Sequence, residues 1–142
     1  MTAVLLSLHV VAAILAVGPI AVAASLFPRY VQTSQGGAAV LHRICRTYTV
    51  IGVAVPLLGI ATAAALGALT DAWVLISIAL TAVAAAILAL QILPAQRAAL
   101  DGVSGQTQRL MMTLTVSTGV FNLLWVAVTI LMIVRPGSTT GI

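Results

Sequence analysis

Four apolar stretches of about 20 residues, separated by short polar segments, account for most of the chain. They run from about Ala3 to Leu26, Thr47 to Leu69, Ala72 to Leu93 and Leu110 to Val134. The eight charged residues all fall outside these stretches, and His9 is the one histidine inside any of them. A stretch of that length crosses a bilayer core of roughly 30 Å as a helix. With no water in that core, a helix is the simplest way for one segment to satisfy its own backbone. The pattern therefore predicts an all-α fold: an integral membrane four-helix transmembrane bundle in a single domain covering residues 1–142. Phe27-Pro28-Arg29, Pro94 and Arg135-Pro136-Gly137 read as helix stops. Thr70-Asp71 is a very short link, so the second and third helices should form an antiparallel hairpin. Pro56 and Gly18-Pro19 should kink the second and first helices by removing backbone donors.

Composition agrees with the pattern. The 142 residues are 62% apolar and 6% charged, with a mean hydropathy of +1.23; so short a soluble chain cannot hide that much apolar surface. A cleaved signal peptide is not expected, because the first apolar stretch lacks a basic leader. All six basic residues are arginines, set against Asp71 and Asp101. Arg29, Arg43, Arg46, Arg97 and Arg109 lie after the first and third stretches, while Arg135 alone lies on the opposite side. The positive-inside rule then places both termini outside and both longer loops in the cytoplasm. Scattered arginines of this kind read as topology signals, not as a nucleic-acid surface. Abundant Ala, Val and Arg without Lys points to a bacterium, and so to its plasma (inner) membrane.

Offsetting the chain by 66 residues pairs Pro28 with Pro94, Gly36 with Gly102 and Arg43 with Arg109, and aligns Thr47-Tyr48-Thr49-Val50 with Thr113-Leu114-Thr115-Val116. The expected architecture is two tandem helical hairpins in parallel repeat, related by an axis along the membrane normal. At the same offset His9 pairs with Leu75 and Pro56 with Asn122, so the halves differ where chemistry would sit.

Chemistry-bearing residues are sparse. Cys45 is alone, which excludes an internal disulfide, and neither paired carboxylates nor a phosphate-binding glycine loop is present. No side chain supplies an enzyme's nucleophile with a plausible base. Counting depth along each stretch puts Thr62, Ser77 and Thr129 level with His9, which suggests a polar layer around the imidazole. Ligation of a haem or metal by His9, with Met132 or another chain as second ligand, is the alternative. Thr115, Thr118, Asn122, Trp125 and Thr129 share one face of the fourth helix, and Asn122 must face protein, since an unpaired amide at the midplane is costly. Gly59, Ala63 and Gly67 form a small-residue face for close helix packing. His42, Arg43 and Arg46, with Arg97 and Arg109, are candidates for lipid-headgroup or partner contacts. Arg97 and Asp101, four apart, suggest a short solvated extension of the third helix closed by Gly102.

The segment Leu8-His9-Val10-Val11-Ala12-Ala13 followed by Gly18-Pro19 resembles the first helix of several small bacterial membrane proteins. These include copper-resistance CopD-type domains, HemJ-type protoporphyrinogen oxidases and an uncharacterised family of small four-helix integral membrane proteins. The likeness to the last group covers most of the chain, through Pro56-Leu57-Leu58-Gly59, Trp73, Pro94 and Arg97. It implies the four-helix fold; the HemJ-type likeness implies haem b on His9. The residues themselves favour a different expectation: a non-enzymatic protein acting through its lipid-embedded faces. It would be an accessory or assembly subunit of a larger membrane complex, or a homo-oligomer, with lipids and other membrane subunits as its partners.

Overall fold

The computed structural model describes residues 2–102 and 107–136. Within them the chain is helical, in the order α1 (Thr2–Thr33), α2 (Gln35–Ile51), α3 (Ala54–Leu66), α4 (Ala72–Ile87), a π-helical segment (Leu88–Ile92), α5 (Leu93–Leu100) and α6 (Thr107–Val134). Joined end to end, these give four helical rods long and apolar enough to cross a membrane: Thr2–Thr33, Gly36–Leu66, Ala72–Leu100 and Gln108–Val134. That points to a membrane helical bundle.

The rods overrun the expected boundaries at their polar ends. α1 continues through Pro28 to Thr33, so the stop expected at Phe27-Pro28-Arg29 is absent. Each proline deletes a single helical donor, and in a 32-residue helix one missing bond does not end the ladder where little else competes for the backbone. Gly18-Pro19 likewise lies within α1 without a break. The reversal after α1 takes one residue, Ser34, whose side chain caps α2 by accepting from the Gly37 N–H at 3.2 Å. The expected first loop is therefore mostly helix, and it carries His42, Arg43 and Arg46 on α2.

Two of the rods are interrupted, each just before a proline. Pro56 cannot donate to the Gly52 carbonyl, and the chain leaves the α-helix at Gly52-Val53. There the Val55 N–H takes the Gly52 carbonyl instead, at 3.0 Å. Pro94, expected to end the third helix, is instead absorbed. The π-segment widens the turn ahead of it, the Leu93 N–H reaches the Leu88 carbonyl, and α5 continues to Leu100. Asp101 caps α5, and Gly102, at φ 68°, closes it.

Packing divides the bundle into two pairs. α2 and α3 fold back along α1, α4 lies along α6, and α3 and α4 meet only sparingly despite their short link. The expected hairpin of the second and third helices is thus a connection more than a packed pair. The pairs join around Val17, Ile20, Ala23 and Ala24 of α1, against Cys45, Ala84, Leu88, Ile92 and Phe121. A second cluster, Phe27, Ala38, Ala95 and Leu114, continues the core towards the α1–α2 reversal. At the opposite end only a small cluster forms, Ala63, Ala68, Trp73 and Val74, with Met132 against it. Large side chains fill one half of the bundle, and the other half is left open between the pairs.

Phe27 is fully buried while Leu90 is 74% exposed. Phe27→Ala should therefore lower the thermal unfolding midpoint in detergent, at a cost on the order of 2 kcal/mol or more for the cavity left behind. Leu90→Ala should leave the midpoint essentially unchanged. Equal effects of the two substitutions would contradict this assignment of the core.

Candidate functional site

His9 is 8% exposed, held where α1 crosses the start of α3. Its Nδ1 lies 2.9 Å from the Val55 carbonyl oxygen. A carbonyl only accepts, so Nδ1 is the donor in this bond and Nε2 is left free of it. The ring fits because residue 59 has no side chain: a Cβ there would stand 2.8 Å from His9 Cε1 and 3.3 Å from Nδ1. Gly59 is thus a seat for the imidazole, and Ala63 one turn on is buried in the adjoining cluster. Gly67, grouped with them by spacing, serves otherwise. It adopts φ 69° and caps α3, with its N–H on the Ala63 and Ala64 carbonyls.

The hydroxyls expected to form a polar layer around His9 make no hydrogen bond to it. Thr62, Ser77 and Thr129 donate to the Leu58, Trp73 and Trp125 carbonyls of their own helices, at 2.7, 2.7 and 2.9 Å. A hydroxyl one turn above a carbonyl finds that acceptor at hand and has no need of the imidazole. Two adjoining cavities, of about 240 and 780 Å³, open beside His9 in the loosely packed half. Thr62 and Ser77 line the smaller and Thr129 the larger; Leu6, His9, Thr81, Met132 and Arg135 line both. His9 Nε2 has no hydrogen-bond partner among the described residues, and the ring borders both spaces.

Arg135 closes this end. Its guanidinium carbon lies 5.5 Å from the centre of the Trp73 ring, and its Nε donates to the Met132 carbonyl at 3.3 Å. The Trp73 indole N–H donates to Asp71 Oδ2 at 3.2 Å. Residue 135 holds a φ of 50°, unusual for a side chain other than glycine. That turn follows the last helical carbonyls of α6. Neither Trp73 nor Arg135 was legible as part of a site from sequence, beyond the preference of Trp for interfaces.

A second polar cluster lies in the packed half and corrects the expectation for His42. Instead of reaching headgroups, His42 is buried, with Nδ1 donating to Gln96 Oε1 at 2.9 Å. The Gln96 amide nitrogen in turn points at Cys45 Sγ, 3.6 Å away. His42 Nε2 is buried without a partner. Helical phase explains the reversal: His42 and Cys45, three apart, share the inward face of α2, while Arg43 and Arg46 face outward and are exposed, as are Arg97 and Arg109. Gln96 carries no such signal in the sequence, because it lies beyond Pro94, where the pattern predicts the end of the helix.

On α6 the expected stripe splits. Thr118 is buried, Asn122 and Trp125 are half-buried, and Thr115 and Thr129 are exposed. Asn122 Nδ2 donates to Ser25 Oγ on α1 at 3.3 Å, leaving its Oδ1 buried and unpartnered. Asn122 therefore faces protein. Among the described residues no group of three or more His, Cys, Asp or Glu side chains is placed to hold a metal ion.

The His9 seat has a direct test. Gly59→Ala should force the hydrogen-bonded ring off Val55 and destabilise the protein by about 1–3 kcal/mol, as overpacking does. Gly18→Ala should be neutral or stabilising, since nothing lies within 4 Å of its added methyl. Indistinguishable unfolding midpoints for the two variants would mean that Gly59 does not hold His9 in place. Comparisons with protein-family models, with curated proteins and with solved structures found no match to this chain.

Proposed function

We propose that this is a non-enzymatic membrane protein that works through its helix faces, as an accessory or assembly subunit of a larger membrane complex or as a homo-oligomer. The observation that carries this reading is the second rod: only 17% of its most apolar stretch is buried within the chain, against 33% for the first. On α6 the exposed residues Thr115 and Gly119 stand four apart, with nothing within 4 Å of a Cβ at 119. Lipid makes little use of a hydroxyl and a bare backbone, whereas a neighbouring helix packs closely on both. The two tandem hairpins, a bacterial plasma membrane and cytoplasmic long loops belong to the same reading. They rest on the matches at an offset of 66 residues and on the distribution of arginines.

Purified gently from its native membrane, the protein should run as a dimer or larger, or with stoichiometric partner subunits, by light scattering and native mass spectrometry. A stable, ligand-free monomer in mild detergent would refute the reading. For the orientation, a periplasm-dependent reporter fused after residue 142 should be active and one inserted near residue 104 silent; the opposite pattern would invert the topology.

One observation favours a second reading, haem or metal binding at His9. A histidine that ligates through Nε2 ordinarily donates Nδ1–H to a carbonyl or carboxylate, and His9 does so to Val55. His9 and Met132, which border the same two cavities, would be the residues that hold the group. A bound haem would supply one-electron chemistry. Under this reading the purified protein shows a Soret band that His9→Ala abolishes; a colourless wild-type sample without metal would end it.

A further inference from the structure

We propose that the open half of the bundle is a binding site for one anionic phospholipid, with its phosphate on Arg135 and one acyl chain in the groove between α1 and α6. The site is separate from the outward arginines of α2 and α5, and it holds whether or not the protein has protein partners.

Shape is the first argument. The larger cavity extends along α1 from Leu6 to Gly18 and along α6 from Trp125 to Arg135. At about 1.5 Å of rise per residue, those runs are roughly 18 and 15 Å long. One leaflet fills half of a bilayer core of roughly 30 Å, so the groove matches the length of a single acyl chain. Its walls are overwhelmingly apolar, with Ala13, Ile14 and Val128 among them. Where helices span a bilayer, an apolar groove that opens between them is filled by a chain or by another helix, not by water.

Charge selects the head. Arg135 stands at the end of both cavities. Its Nε is used on the Met132 carbonyl and its face on Trp73, while its two terminal nitrogens have no partner among the described residues. No ion pair involves it there, and the nearby Asp71 is engaged by the Trp73 indole. A guanidinium held by its stem, with its outer donors free at a helix end, is suited to a phosphate diester. His9 borders the same space some three residues inward of Leu6. A lipid with a net negative phosphate diester answers Arg135, which makes phosphatidylglycerol the appropriate probe.

Both tryptophans of the chain report on this site: Trp73 under the guanidinium and Trp125 in the groove wall. The test is quenching of their fluorescence in phosphatidylcholine vesicles containing a small fraction of lipid with brominated acyl chains. Brominated phosphatidylglycerol should quench at low mole fraction and brominated phosphatidylcholine should not at the same fraction. Arg135→Gln should weaken that preference roughly tenfold or more, as the loss of a charge-assisted contact predicts, whereas Arg43→Gln with Arg46→Gln should preserve it. Ala13→Trp would alter the fluorescence itself, so the groove is blocked with Ala13→Leu, which should reduce quenching with Arg135 intact. Equal quenching of the wild-type protein by the two lipids overturns the proposal without recourse to any variant. A preference that survives Arg135→Gln and is lost with Arg43 and Arg46 also overturns it, by assigning the lipid to the other end of the bundle. Oligomeric state is read in a separate experiment, so the failure of one idea does not decide the other.

Discussion

Every backbone donor and acceptor within the four rods must be satisfied by the chain itself, because the apolar surroundings their composition demands offer no substitute. The prolines within the rods test that constraint, and ahead of two of them the chain meets it in different ways. Before Pro56 it tightens, with Val55 taking the carbonyl that residue 56 cannot reach. Before Pro94 it loosens into a π-turn. The tightening places Val55 at the start of α3, where its carbonyl also receives His9. The loosening brings Gln91 to Ser117, which donates to its Oε1 at 2.9 Å, and is followed by Gln96 at His42. The main polar contacts between the helices therefore cluster beside the places where the ladder is irregular.

Large and small side chains decide where the bundle closes. Phe27, Leu88, Ile92, Leu114 and Phe121 knit the helices at the centre and towards the α1–α2 reversal. Towards the other end small residues, Ala13, Gly59, Ala63 and Ala85, are among those lining the open space. The open space beside His9 follows from that gradient of volume. Arg135, stacked on Trp73, lines both cavities where α6 ends.

The four spans were legible because continuous apolar length is a strong signal that tertiary structure seldom overrides. Helix ends were less so. Pro28 and Pro94 were read with the rules of helices in water, where a broken ladder is readily replaced by solvent contacts; here the helix persists. His9 stood out as the one histidine in an apolar stretch, but its partner was a backbone carbonyl, which carries no sequence signature. The same applies to Thr62, Ser77 and Thr129, whose depth could be counted but whose nearest acceptors lay in their own helices. His42 was grouped with Arg43 and Arg46 by proximity in sequence, although helical phase turns it to the opposite side. Gly67 kept step with Gly59 and Ala63, yet it lies one residue past the end of α3, where spacing no longer describes a face.

The π-turn at Leu88–Ile92 also lets the third rod carry one residue more than a regular helix of the same phase. A π-turn is an α-helix with one residue too many, so deleting a single residue there would restore a regular ladder locally. Everything beyond it would keep its phase relative to α4, with Gln96 still turned towards His42, whereas a deletion within α4 itself would rotate everything beyond by about 100°. The same deletion in the link between α3 and α4 would shorten a turn and reorient nothing inside either helix. The five-residue irregularity thus takes up one residue of length while keeping the two ends of the third rod in phase.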